Sequence, residues 1–385
     1  MSDKKYDFAN IKLGIVTPCC VSTGLKLTAK DYLYDATSST MHFVNHLKWH
    51  KFIIEKNLFK SYATYIANLS DNRNLSTWLQ DEGYKLSDVK ETIIASTHAE
   101  PTVLKSSSKE TLNDVYRCMR LPDGRVYIPG SSIKGFLHSA ILHHCIKKDS
   151  ESAMFYWNKL KGCIGGKFVN IKDINKFQRE IETKFLHKLL LKDNKGKDIY
   201  SQDSLCSVMR GLQVSDALPI NDIQTEMLQK IDFVLKKAKA YDNALPLFKE
   251  CVLKGCEFQF SAKIDKSMFS LIGISDISQL LTICHEYVNF VQNIFKCAFA
   301  KEFPDLFELE DANIYIGGNT GFLTKTNVLS LAPNKDVAKD FIKILLDSIF
   351  GKHKFDEKIS PRTLKCTYDG YSDTQMGLAY MSVVK

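Results

Sequence analysis

The run from Ile128 to Leu137, Ile-Pro-Gly-Ser-Ser-Ile-Lys-Gly-Phe-Leu, holds the residues whose types and spacing point most directly to chemistry. A short apolar strand is broken by Pro129-Gly130, and Ser131 or Ser132 is placed to cap a helix. The first helical turn then carries Lys134 and Gly135, where a helix ordinarily favours Asp or Glu against its dipole. That cation becomes sensible if an anion rests on the exposed N–H groups, with Gly135 letting a backbone come close. The plainer reading is a strand-to-helix connector whose lysine points into water. A nucleotide-binding P-loop is excluded, because Phe136 follows Gly135 where that motif requires Lys and then Ser or Thr.

A second run, Gly317-Gly318-Asn319-Thr320-Gly321, offers a row of unobstructed N–H groups with Lys325 nearby, which suits a sugar-phosphate backbone. It does not match the dinucleotide fingerprint, since position 316 is Ile. His42, His46 and His50 are spaced by four and would share one face of a continuous helix. The helix is expected to begin only after His42, and no carboxylate sits at matching spacing. Eleven cysteines include no Cys-x-x-Cys pair, which argues against zinc. No cofactor is expected.

Several elements must position these groups. Arg125 to Ile128 reads as the strand entering the first turn, and Ile133, Phe136, Leu137, Ala140, Ile141 and Cys145 form the buried face of the helix leaving it. The strand Val115 to Arg120 delivers Arg117 and Arg120 to the same edge. Lys12 to Val16 is a first strand, followed by a polar turn with Ser22, Thr23, Gly24, Lys26 and Lys30 that can wrap phosphate. Tyr32 to Phe43 reads as extended, His46 to Tyr65 as helical, and Asn68 to Leu86 as an insertion. Lys105 to Lys109 reads as a loop that could contact RNA. Ser152 to Leu190 is helical with a glycine break, Cys206 to Ser215 a strand, and the region to Leu247 helical or mixed. Cys256 to Ile264 alternates Phe258, Phe260 and Ala262 against polar residues, as a half-buried strand does. Leu280 to Phe299 is a core helix, Ala312 to Ile316 a strand into the second glycine turn, and Gly377 to Val383 the closing strand.

The chain has 385 residues, 44% hydrophobic and 25% charged, so it can bury a substantial core and divides naturally into two domains. Residues 1–210 hold 32 Lys and Arg against 22 Asp and Glu, a net of +10, whereas residues 211–385 hold 20 against 22, a net of −2. The basic excess in the first half favours a polyanionic partner there. No secretory signal and no apolar run near 18 residues is evident, which predicts a cytosolic chain with reduced thiols and no membrane span.

Three stretches, Leu13 to Tyr34, Ile128 to Leu137 and Ile316 to Thr326, together resemble the RAMP superfamily of CRISPR RNA-binding proteins. They are most similar to the type III-A (Csm) subunit that caps the 3′ end of the guide RNA. The resemblance implies an α+β fold of two ferredoxin-like (βαββαβ) RAMP domains with helical insertions, divided as residues 1–215 and 216–385. It implies a non-catalytic RNA-binding subunit that holds the 3′ part of the crRNA and supports its maturation and target-RNA interference. Its partners would be crRNA and target RNA, a neighbouring backbone RAMP subunit, a small helical subunit, and host trimming nucleases. Lys26, Arg117, Arg120, Ser131, Ser132, Lys134, Gly135, Arg210, Gly317, Gly318, Asn319, Thr320, Gly321 and Lys325 would carry the RNA, with Asp216 tying down a turn. Contacts should reach phosphate and 2′-OH, because guide sequences differ. The rival reading is a metal-independent RAMP endoribonuclease using His46 or His50 as general acid or base. A nucleotide-dependent transferase using the Gly317 loop is disfavoured, since no phosphate-binding consensus is complete.

Overall fold

The computed structural model describes residues 5–99, 115–165, 168–199, 203–236 and 239–384; the loop expected at Lys105 to Lys109 lies outside them. The chain opens with β1 (Tyr6–Ile15), whose inward residues Ile11, Leu13 and Ile15 are buried. After the Thr17-Pro18 break comes β2 (Ser22–Leu27), then the antiparallel hairpin of β3 (Tyr32–Asp35) and β4 (Thr40–Val44). Three helices follow: α1 (His46–Glu55), α2 (Phe59–Ala67) and α3 (Leu75–Asp81). Asn45 and Asn74 start α1 and α3 by accepting the N–H of Lys48 and Thr77. This helical insertion packs Trp49, Tyr65 and Trp78 into a small core of its own. The chain returns through β5 (Ile93–His98) and β6 (Val115–Cys118).

The central helix is α4 (Gly130–Lys148), followed by α5 (Ser150–Gly162), the short pair β7 (Ile164–Gly165) and β8 (Phe168–Val169), and α6 (Ile171–Leu186). Then come β9 (Leu212–Val214), β10 (Leu218–Pro219), and the long antiparallel pair β11 (Thr225–Lys236) and β12 (Lys239–Val252). β13 (Glu257–Asp265) leads through α7 (Lys266–Phe269) into α8 (Ile277–Phe299). The chain ends with β14 (Ile314–Tyr315), α9 (Val328–Leu331), α10 (Lys335–Phe350), β15 (Thr363–Tyr368), β16 (Asp373–Gln375) and β17 (Leu378–Val383).

Two sheets organise these elements. One runs β10-β13-β1-β17-β14 with β9 beside β13, and α8 packs across it. The other runs β2-β6-β12-β11-β5-β4-β3, with β15 beside β11 and β16 beyond it. Each sheet takes strands from both sides of residue 215: β1 lies between β13 and β17, and β5 pairs with β11. One large apolar cluster, from Ile11 to Met381, joins the two halves of the chain.

Three local expectations need correction. The region to Leu247, expected to be helical or mixed, instead contributes most of the two longest strands; β11 is buried on both faces, Met227 in one apolar cluster and Leu228, Ile231 and Phe233 in another, and cross-strand pairing outweighs the helix-forming Lys and Ala content. Cys206 to Ser215 is mostly two short 3₁₀ turns, with only Leu212–Val214 extended. Arg125 to Ile128 makes single bridges, Val126 to Arg120 and Ile128 to Ala217, rather than a ladder. The core helix is found as expected: Lys266–Phe299 is long and apolar enough to cross a bilayer by length and composition, but its apolar stripe, Leu280, Cys284, Tyr287, Val288, Val291 and Phe295, is buried in the core.

Candidate nucleic-acid interface

The first glycine turn is built by packing from two directions. α4 begins at Gly130 with Pro129 as its cap residue and no side-chain cap, so Ser131 and Ser132 lie inside the first turn rather than at the cap. Asp216 supplies the acceptor instead, taking the Gly130 N–H on Oδ1 at 2.8 Å. Position 130 has no room for a side chain, because a Cβ would stand 2.6 Å from the carbonyl oxygens of Val214 and Ser215. Gly135, one turn on, is exposed, and nothing lies within 4 Å of where its Cβ would be. The first turn of α4 contains no acidic residue.

The second turn is tied to the N-terminal segment. Gly317, Asn319 and Gly321 have φ of 85°, 69° and 91°, a left-handed series that favours glycine. The Gly318 N–H donates to the Cys20 carbonyl at 2.9 Å, and a Cβ on Gly317 would collide with that same oxygen. Thr320 is buried, with the Thr324 hydroxyl 3.1 Å from its Oγ1 and 3.0 Å from the Gly321 carbonyl.

These constraints bring three stretches far apart in sequence to one cavity of about 460 Å³. Val21 and Ser22 contribute from the N-terminal stretch, Ser131, Ser132, Gly135, Phe136 and Ser139 from α4, and Tyr315, Gly317, Gly318, Thr320, Thr324 and Lys325 from the second turn and the loop after it. A neighbouring cavity of about 430 Å³ shares Ser139 and Lys325 with it. The second turn does not present the expected row of unobstructed N–H groups, since that of Gly318 is taken by Cys20, but hydroxyls, the open surface at Gly135 and one exposed lysine remain, and such groups bind a phosphodiester strand without reading its bases.

A family model described as "RAMPs: RAMP superfamily" matches residues 16–322. The chain belongs to the RAMP superfamily. Its relatives include proteins named "CRISPR system Cms protein Csm5". That of Enterococcus italicus is 23% identical over 391 residues, spanning 95% of this chain and 93% of the relative. That of Streptococcus thermophilus is 25% identical over 343 residues, spanning 84% and 81%. In fold, the chain is similar to a subunit of a cryo-EM Csm–crRNA–target RNA ternary complex of a type III-A CRISPR-Cas system. The TM-score is 0.59 and the identity 17%, over 97% of this chain and 100% of that one. The crystal structure of "T.onnurineus Csm5" matches at a TM-score of 0.58 and 14% identity, over 96% and 99%.

Within this RAMP fold the cationic residues singled out in the sequence have varied surroundings. Lys134 does not line the cavity: its ammonium donates to the Leu212 carbonyl at 2.6 Å, and burial lowers its pKa. Arg120 is nearly buried, paired with the fully buried Glu250 and donating to the Gly124 carbonyl at 2.6 Å. Its work is structural, because leaving Glu250 unpaired inside the protein is costly. Arg117 stacks over Phe43 with its guanidinium 4.1 Å from the ring centroid, and burial depresses its pKa. Arg210 is exposed on a 3₁₀ turn and donates to the Leu205 carbonyl at 2.8 Å. Lys26 is exposed on β2 opposite Tyr116. Asn319 turns its amide toward the Met376 sulfur, 3.7 Å away, and Gly321 lies beside Lys365. Asp216 ties down the first turn.

The histidine series is broken by the fold. His42 sits on β4 with Nδ1 2.7 Å from the Ser96 hydroxyl, whereas His46 and His50 are exposed on α1. None of the three lines the glycine cavity. Among the described residues no group of three His, Cys, Asp or Glu is arranged to hold a metal. Two lining residues went unmarked in the sequence: Ser139, shared by both cavities, and Arg179, which lines the neighbouring one. Ser139 was findable, since it lies one helical turn beyond Gly135 on the same face; nothing local distinguishes Arg179 from its basic neighbours on α6.

Proposed function

We propose that this chain is an RNA-binding subunit of a type III-A CRISPR ribonucleoprotein that caps its backbone and holds the 3′ part of the crRNA, supporting crRNA maturation and target-RNA interference. The observation that carries this reading is the convergence of Val21-Ser22, the start of α4 and the Gly317 turn on one hydroxyl-lined cavity with Lys325 at its edge. The names of the relatives and of the Csm–crRNA–target RNA complex support the same assignment. Ser131, Ser132, Gly135, Gly317, Gly318, Thr320 and Lys325 would meet phosphate and ribose, while Lys26 and Arg210 would extend the charge along the surface. The role is non-catalytic and cytoplasmic. Its partners are crRNA, target RNA, a neighbouring backbone RAMP subunit, a small helical subunit, and host trimming nucleases.

In this reading residues 1–215 and 216–385 are two RAMP units, each bearing one glycine turn, whose ferredoxin-like elements are interleaved through the shared sheets. An endoribonuclease using His46 or His50 gains nothing from the geometry, because both sit on the helical insertion and neither lines the cavity. Lys325→Ala tests the proposal by filter binding of two unrelated RNAs across a salt series. Both affinities should fall by the same factor, with the log–log salt slope reduced by about one. An unchanged slope would overturn the assignment of Lys325 and its cavity to the RNA backbone.

A further inference from the structure

The second cavity has a different chemical character from the glycine cavity it joins. Its floor is apolar, made by Leu142, Ile174 and Phe341, and its size of about 430 Å³ falls within the roughly 300–1,000 Å³ typical of small-ligand pockets. Phe322, 36% exposed, stands in its wall as a flat surface on which a ring can stack. Arg179 and Lys325 are the cations along its lining, and Lys325 also belongs to the glycine cavity. Ser139 and Lys325, which line both cavities, therefore connect the first cavity to this apolar-floored one.

What sets this pocket apart is a carboxylate. Glu182 lines it, one turn along α6 from Gln178, with Oε1 3.1 Å from His138 Nε2. The hydrogen bond from His138 is the main influence holding the Glu182 carboxyl below its ordinary range, so it is ionised at neutral pH. An ionised carboxylate repels phosphate and can only accept hydrogen bonds. His138 occupies one of its acceptor sites; the remaining ones, inside an RNA path, favour a donor on the nucleotide, and the exocyclic amino group of a base is such a donor. The Asn327 amide oxygen, buried in the same wall, has no hydrogen-bond partner among the described residues.

We propose that this cavity is a single-nucleotide subsite in which a base bearing an exocyclic amino group stacks on Phe322 and donates to Glu182, with its phosphate held by Arg179 and Lys325. The inference rests on the RNA-binding reading above and adds to it. The glycine cavity holds the strand whatever its letters, and the adjoining one reads a single base.

Short oligocytidylate and oligouridylate of equal length test this on the full chain, since every register presents the same base: cytosine offers its amino donor at an open edge, whereas uracil's one donor, N3–H, lies between two carbonyl oxygens that repel a carboxylate. The wild-type protein should prefer oligocytidylate on the order of tenfold. Glu182→Gln, whose amide can both donate and accept, should bring that ratio close to one. Lys325→Ala should weaken both oligonucleotides equally and leave the ratio standing. Equal binding of the two by the wild type, or a ratio unchanged in Glu182→Gln, overturns the subsite while leaving the glycine cavity intact. Failure of either oligonucleotide to bind in a salt-dependent way removes the RNA reading together with the subsite. The wild-type ratio needs no variant, so a substitution that fails to fold does not shelter the proposal.

Discussion

Gly130 and Gly317 are each wedged against a neighbouring main chain, the first against Val214 and Ser215 and the second against Cys20, whereas Gly135 faces open space at the edge of the cavity. The two turns look like copies of one device in the sequence, yet their glycines answer different demands. Two are fixed by packing: they let the start of α4 approach β9 and let the Gly317 turn approach the N-terminal segment. Gly135 has no such constraint, and its missing side chain leaves room only for something outside the protein. Absence of a Cβ is thus a structural necessity at one position and an opening at another.

Substitutions to alanine separate these roles, and their stability effects should fall in a definite order. Gly317→Ala combines a collision with the Cys20 carbonyl and a left-handed φ, and should cost about 3 kcal/mol from overpacking and backbone strain together. Gly130→Ala meets crowding without that strain and should cost about 1–3 kcal/mol. Urea denaturation midpoints order the two; a Gly130→Ala loss larger than that of Gly317→Ala would break the ranking. At the small end, Gly135→Ala lies within α4 and should stabilise the fold by about 0.5–1 kcal/mol. The same methyl group enters the cavity and should weaken RNA binding by a few fold. Unaltered RNA affinity in this more stable variant would mean that Gly135 is open to solvent without serving a ligand.

Legibility of the sequence followed how local each determinant is. The alternation of Phe258, Phe260 and Ala262 and the apolar stripe of α8 are local patterns, and both predicted the burial observed. The hairpin of β11 and β12 shows no period-two alternation, because further pairing to β5, β6 and β15, which lie elsewhere in the chain, places it inside a sheet and buries β11 on both faces. The interleaving of the sheets has no local signal, since β1 gains its neighbours β13 and β17 only when the chain returns to it.

The candidate site divides along the same line. Turn chemistry marked Ser131, Gly135, Gly317 and Lys325, and these do meet at one cavity. Cationic side chains were the poorer guide. Arg120 is committed to Glu250 and Lys134 to the Leu212 carbonyl, partners more than seventy residues away that no local pattern reveals. Glu182 and Phe322 were invisible for a related reason: a carboxylate and an aromatic ring become a candidate base-reading pair only when α6 and the loop after the Gly317 turn line the same cavity.

Photo-crosslinking tests the shared cavity most directly. RNA carrying 4-thiouridine, bound to the full chain, irradiated and digested, should label peptides from both the 131–139 and the 317–325 segments, with the two labels lost together in Lys325→Ala. Crosslinks confined to one of these segments, or concentrated on the α1–α2 insertion, would contradict an RNA path shared by the two glycine turns.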